Sequence, residues 1–420
     1  IAILQEELVP ALGCTEPIAI AYAGAHARAL LGKIPDRVCI KSSGNIIKNV
    51  KSVTVPNSGN MKGIPAAAAI GIIGGNPDKG LEVLADITES DIARTKEFLE
   101  KIPCKVSLLD TVASLHFIVE VFAGADSASV EIIHQHTNIV RTTKNGKEVL
   151  SVPFDPASAN AALTDRSGLS VKKILEFADT IDLDRVRPIL ERQIDYNTRI
   201  AQEGLEHRYG INAGANLLKA AEAEQAVTVK IRAQAAAAAG SDARMSGCTL
   251  PVVTNSGSGN QGLTASLPVI VFAEEKKLPH DQLLRGLLVS NLIAIHQKTR
   301  IGRLSAYCGA VSAGCGSGAA VTYLSGGSYE QVCETITNTL AVVSGIVCDG
   351  AKPSCASKIA TSVDAALNAH YLAMQNRVFE PGEGIVKGDI EKTIAGVGAV
   401  AADGMRETDK VILRIMVDDD

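Results

Sequence analysis

Residues 115–151, LHFIVEVFAGADSASVEIIHQHTNIVRTTKNGKEVLS, alternate apolar and polar side chains in short runs and close on Asn145-Gly146, a dipeptide suited to a two-residue hairpin. Alternation of this kind marks strands with one buried face, so 115–122, 128–134 and 137–142 read as strands of a mostly antiparallel sheet. Upstream, 104–109, Val38 to Ile40 and Val50 to Val55 add β-branched strand runs, the last two flanking a Gly-Asn turn. Residues 64–73 and 89–102 read as helices, the second opening on Glu89-Ser90-Asp91, which supplies both a cap and charge that suits the helix dipole. Residues 1–31 read as helical, and Gly13-Cys14-Thr15-Glu16-Pro17 falls where one helix ends and the next begins.

Downstream of about residue 165 the period changes. Residues 170–179, 183–207, 214–239, 261–274, 281–298, 304–324, 328–347 and 355–376 all carry the 3.6-residue pattern. The run Ala235 to Ala239 is a strong helix former, stopped by Gly240-Ser241-Asp242. The expected fold class is therefore α+β: an N-terminal α/β layer over 36–165 packed on a larger all-helical domain over 166–420, with the helix of 1–35 lying on that C-terminal domain. A chain of 420 residues is long enough for two cores.

Composition narrows the function. Apolar residues make up 46% of the chain but aromatics only 3%, with no Trp, which favours closely packed helices with small side chains. A formal charge of -5 without a basic, aromatic-studded patch excludes a nucleic-acid surface. The apolar runs Leu267 to Ala273 and Leu340 to Val347 fall far short of the roughly 20 residues a membrane helix needs, so no membrane partner is expected. No basic leader with a cleavage site is visible, and a start at Ile1 points to a trimmed initiating stretch. Nine cysteines are too sparse for a disulfide scaffold and cannot all pair, so reduced thiols and a cytoplasmic location are expected.

The cysteines divide by setting. Cys39 and Cys104 in strands and Cys333 in mid-helix read as small hydrophobes, while Cys248 lies in an open turn. Cys14 sits at a helix start, where backbone N–H groups favour a thiolate. Cys308 precedes Gly309, and Cys348 and Cys355 bound the loop Cys348-Asp349-Gly350-Ala351-Lys352-Pro353-Ser354-Cys355. Cys308 and Cys315 are seven residues apart on one expected helix, about 10 Å along its axis, so Cys315 reads as packing. No spacing matches a C-x2-C zinc or ferredoxin pattern. Ser-Gly-Asn recurs at Ser43, Ser58 and Ser258, each time in a Gly-rich turn.

The chain resembles the L-cysteine desulfidases, relatives of the alpha chain of iron-sulfur L-serine dehydratases. The likeness rests on Gly13 to Pro17, Ser241 to Met245, Ser256 to Gly262, Ile301 to Gly309 and Cys348 to Lys358, which together span nearly the whole chain. The resemblance implies a [4Fe-4S] cluster with one open iron in a lyase that uses no pyridoxal phosphate. Carried onto this sequence, the ligands are Cys14, Cys308 and Cys348, with Cys355 competing for the third place. The Gly-Cys-Thr-Glu-Pro opening is closer to the desulfidase branch, which makes L-cysteine the expected small amino-acid substrate and L-serine the alternative. A non-catalytic iron-sulfur or amino-acid-binding protein is the reading from another class. The dehydratase likeness also implies a homodimer.

Such a lyase removes an α-proton while a β-substituent departs. A positioned base contributes about 10² to 10⁴ in rate, short of the roughly 8 kcal/mol that enzymes supply at minimum, so a second agent must stabilise the leaving group or the developing enolate. An open cluster iron, as the resemblance implies, fits that need as a Lewis acid. Candidate bases are Lys352 first, then Lys358, His296 and Lys298, with Glu16 orienting the substrate ammonium. Thr15, Ser256, Ser258, Asn260 and Gln261 are expected at the substrate, the last four because their loop opens a helix whose N–H groups suit a carboxylate. Ser43, Asn45, Ser58 and Asn60 add a contribution from the first domain, placing the site between the two domains. The remaining histidines, His136 among them, read as structural.

Overall fold

In a computed structural model, which describes residues 1–157 and 163–417, the chain has the expected α+β architecture. In chain order its elements are α1 (Ala2–Glu7), β1 (Pro10–Leu12), α2 (Thr15–Leu31), β2 (Arg37–Ser42), α3 (Gly44–Val50), α4 (Gly63–Gly74), α5 (Glu89–Lys101), β3 (Cys104–Leu108), β4 (His116–Ala123), β5 (Asp126–Ile133), β6 (Ile139–Lys144) and β7 (Lys147–Ser151). The helical half follows as α6 (Val171–Thr180), α7 (Arg187–Glu206), α8 (Ala213–Ala223), α9 (Val229–Met245), the short strand β8 (Pro251–Val253), α10 (Gly259–Glu275), α11 (His280–Ile301), α12 (Gly309–Leu324), α13 (Tyr329–Val343), α14 (Ser354–Ala373), α15 (Ile390–Ala399) and α16 (Arg406–Val417). Residues 158–162, beside the expected boundary at 165, and 418–420 lie outside the described residues.

The sheet runs in the order β3-β2-β4-β5-β6-β7, antiparallel except for β2 with β3. Alternation holds along β4, where Phe117, Val119 and Val121 are wholly buried. Their face joins α2 and α4 in one core, and the helices α6 to α15 enclose a second. Leu4 and Leu8 belong to the helical core, whereas Ile18, Ile20 and Leu31 of α2 belong to the sheet core, so the first 35 residues are shared between them. Gly71 lets α4 lie against α2: a Cβ there would meet the Ala21 carbonyl oxygen at 2.1 Å.

Three expectations need correction. Val50 to Val55 is not a strand; the buried residues Ile46, Asn49 and Val50 fall at helical spacing, and α3 takes the segment up to Val50. The expected helix over 214–239 breaks into α8 and α9, because Thr228 caps a new start by accepting from the Ile231 N–H. The helix expected from 304 begins at Gly309, because Tyr307 pairs with Val347 in an isolated antiparallel bridge. No helix among the described residues is long and apolar enough to cross a membrane.

Candidate functional site

The bridge at Tyr307 decides the geometry of the thiols. Cys308 N–H donates to the Ile346 carbonyl at 3.0 Å and Cys348 N–H to the Ala306 carbonyl at 2.6 Å, which sets two loops forty residues apart in sequence side by side. Cys308 is the N-cap of α12 and Cys355 lies in the first turn of α14. Cys14 is the N-cap of α2, held there by Gly13 (φ 57°), whose missing Cβ leaves room for the Pro56 ring. All four cysteines line one cavity of about 100 Å³, together with Thr15, Glu16, Ser256, Ser258, Asn260 and Gln261.

The opposite wall is the start of α10. Ser256 (φ 52°) and Gly257 (φ 77°) turn the chain, and Ser258 caps the helix by accepting from the Gln261 N–H at 3.4 Å. A Cβ on Gly262 would lie 1.9 Å from the Val253 carbonyl oxygen, so the helix can approach β8 only with glycine there. Thr15 donates from Oγ1 to the Gly257 carbonyl at 3.0 Å, tying the two walls together.

Burial pushes the Cys308 thiol up to about 12, with Cys348 and Cys355 adding to the rise. Cys355 is raised by burial, with Cys348 adding to the rise. Burial raises the Cys14 thiol too, followed by the negative charge of Glu16, to whose Oε2 it donates at 3.5 Å. Cys355 adds to the rise while Arg244 opposes it, so Cys14 meets the other thiols through Cys355. Buried thiols of this kind ionise readily only beside positive charge. Among the described residues no three His, Cys, Asp or Glu groups are close enough for a single metal ion. A lone tetrahedral ion with bonds of about 2.3 Å needs sulfurs roughly 3.8 Å apart, whereas a polynuclear group gives each thiolate its own metal and a wider spacing.

Charged groups complete the lining. Burial favours neutral Glu16, but His136 at 3.9 Å and then Arg244 hold its carboxyl down at about 2. Asn49 Nδ2 donates to Oε1 at 3.4 Å, and the Thr15 hydroxyl, already donated to Gly257, lies 3.2 Å from Oε2. Lys298 is 5% exposed, and burial pushes it down to about 8 against the opposing pull of Cys348 and Cys308. Its Nζ donates to the Arg303 carbonyl at 3.3 Å.

Several expected residues lie elsewhere. Lys352 and Lys358 both pair with Asp349 and are not among the residues lining the cavity. His296 Nε2 meets Glu391 at 2.6 Å beside a different cavity. Ser43 and Asn45 line a third, of about 750 Å³, where Ser43 Oγ donates to the Ser114 carbonyl at 2.8 Å. Ser58 closes its own turn on Val55 at 2.7 Å, and Asn60 is exposed. Cys248, expected in an open turn, is 5% exposed. Asn49, Arg244 and Arg303 line the cavity without having been expected there, and His136, expected to be structural, lines it too. The two arginines lie inside the family-like segments, but His136 and Asn49 come from the sheet layer with no local signal.

Residues 78–414 match the serine dehydratase alpha chain family. The chain belongs to that family. It is also similar along its length to proteins named UPF0597: 58% identical over 420 residues to one from Treponema denticola, covering 100% of this chain and 97% of the relative. One from Lachnoclostridium phytofermentans is 54% identical over 417 residues, covering 99% of each, and one from Aeromonas hydrophila 40% over 421 residues, covering 99% and 95%.

Proposed function

We propose that this member of the serine dehydratase alpha chain family is a lyase that eliminates hydrogen sulfide from L-cysteine, leaving pyruvate and ammonia. The observation that carries the reading is the convergence of four cysteines on one small cavity that also holds a buried carboxylate and a buried lysine. Of the four, Cys308, Cys348 and Cys355 come from the segments that the Tyr307–Val347 bridge sets side by side and would hold a [4Fe-4S] cluster, and the burial that raises the Cys308 and Cys355 thiols suits a group that brings its own positive charge. Bound there, the cluster supplies a Lewis acid with affinity for a soft sulfur leaving group. This ligand set takes both Cys348 and Cys355 and frees Cys14 for another task.

The proton transfers fall to the chain. Glu16, held ionised, faces the substrate ammonium. Cys14, two residues away, donates its thiol hydrogen to Glu16; as it passes that proton to the carboxylate it takes the α-proton, so the proton leaving the α-carbon is relayed through Cys14 to Glu16. The electrons of that C–H bond form the double bond as the C–S pair leaves with sulfur. Lys298, on the side of Cys308 and Cys348, delivers the proton that makes the departing group hydrogen sulfide. The freed aminoacrylate tautomerises and takes up water to give pyruvate and ammonia. Lys352 is replaced as the base because its Nζ is engaged with Asp349.

The test is turnover of L-cysteine and L-serine by anaerobically purified protein reconstituted with iron and sulfide. Faster release of pyruvate from L-serine overturns the choice of cysteine. Serine variants of Cys308, Cys348 and Cys355 are expected to lose the visible charge-transfer absorbance. Cys14→Ser is expected to keep it and lose at least about 10²-fold in kcat, the usual contribution of a positioned base. Loss of absorbance in the Cys14 variant alone reverses the assignment.

A further inference from the structure

Arg244 closes α9 and reaches over the first turn of α10 into the cavity. It is 3% exposed, yet among the described residues no carboxylate lies within 4 Å of its guanidinium. Among the described residues its guanidinium makes one hydrogen bond, from Nη1 to the neutral Asn260 Oδ1 at 3.1 Å, and its Nε has no partner. The chain makes room for this arrangement: a Cβ on Gly259 would lie 2.3 Å from Arg244 Nε.

The position is electrostatically adverse as it stands. A guanidinium stacked on the amino end of a seventeen-residue helix meets the positive pole of that helix, and removing an unpaired cation from water costs several kcal/mol. Both penalties reverse when an anion lies between the guanidinium fork and the helix N–H groups. A planar carboxylate is the group that a guanidinium fork and backbone N–H donors recognise together.

We infer that Arg244 is the receptor for the α-carboxylate of the substrate, acting with the amino end of α10. Glu16 lines the same cavity without pairing with Arg244, so the two present opposite charges to a small zwitterion. The site then accepts short α-amino acids and rejects amines and thiols that lack the carboxylate. The inference rests on the lyase reading for the identity of the substrate, but not for the carboxylate itself.

The probe is L-alanine, which has both charges and no leaving group, titrated calorimetrically into the full-length protein beside L-alanine methyl ester. L-Alanine is expected to bind, and the ester to bind at least about 30-fold more weakly, as for loss of one partner of a buried charge pair. Arg244→Gln is expected to weaken L-alanine by the same factor and leave the ester unchanged, with Arg244→Lys between. Equal affinity for acid and ester on the unaltered protein overturns the inference without any variant. So does Arg244→Gln with undiminished L-alanine binding. Arg244-dependent binding of L-alanine without turnover of cysteine or serine leaves the receptor standing and removes the lyase. Turnover of cysteine with an unchanged KM in Arg244→Gln does the reverse.

Discussion

Arg303 and Arg244 are two guanidinium groups on the same cavity, and they are treated in opposite ways. Arg303 makes two bonds to Glu7, from Nη1 to Oε2 at 3.2 Å and from Nη2 to Oε1 at 2.9 Å. Glu7, 1% exposed, also accepts from Arg166 Nη2, which in turn reaches Glu6 at 2.8 Å. This knot ties α1 to the loop after α11 and to the segment leading into α6. Arg244 has no such contact: Glu16, whose carboxyl it helps to hold down, lines the same cavity beyond ion-pair distance. Where a buried charge holds segments together, the chain supplies its opposite; where it faces open volume, the opposite is left for a ligand to bring. The contrast lives in energetics, because breaking a buried pair costs far more than removing a charge that never had a partner.

The largest effect is expected on the knot. Glu7→Gln leaves Arg303 and part of Arg166 buried against a neutral amide, and a loss of about 3 to 5 kcal/mol is expected in chemical denaturation. A loss below about 1 kcal/mol would erase the distinction between the two arginines.

A second test uses a buried carboxylate that also has no cation. Asp242 is fully buried one turn before the end of α9 and accepts from the Gly214 N–H at 2.9 Å, while its Oδ1 has no partner. Burial pushes its carboxyl up to about 6, only partly opposed by the N–H groups of Gly214 and Ala213. Because the folded state holds this proton more tightly than the unfolded chain, ionisation costs stability. The cost is absent below about pH 4 and complete above about pH 6, where it approaches roughly 3 kcal/mol. Asp242→Asn should therefore be more stable than the parent at pH 7, and the gain should fade as the pH is lowered toward 4. Melting curves at both pH values check it; a gain that does not depend on pH removes the assignment.

Much of this arrangement could be read from the chain before the fold was known, and the part that could not has a physical reason. The strands of 115–151 and most helices announce themselves by period, because burial of one face imposes it. β1 and β8 do not: three residues carry no period, and their pairing joins Pro10 to Val253, far apart in sequence. α15 and α16 were not read at all. Cys14, Cys308, Cys348 and Cys355 stood out because glycine, proline and helix starts surround them. The charges were harder. Nothing local separates Lys298, which faces the cavity, from Lys352 and Lys358, which meet Asp349, because the difference is made by Arg303 and the thiol loops in three dimensions. His136 enters the site from β-layer residues whose own pattern speaks only of a turn.

The smallest expected effect is the one that most sharpens the contrast. If Arg244 stays unpaired until a carboxylate arrives, Arg244→Gln has no ion pair to lose, and its stability without ligand should match the parent within about 1 kcal/mol, or exceed it. The amide still reaches toward Asn260 and relieves the cation that lies against the α10 amino end. Added L-alanine should then raise the melting temperature of the parent, since a ligand that binds only the folded state stabilises it by mass action, and leave the variant where it was. A variant as unstable as Glu7→Gln would mean that Arg244 is a structural charge whose partner lies in the fold, and the two arginines would belong to one class.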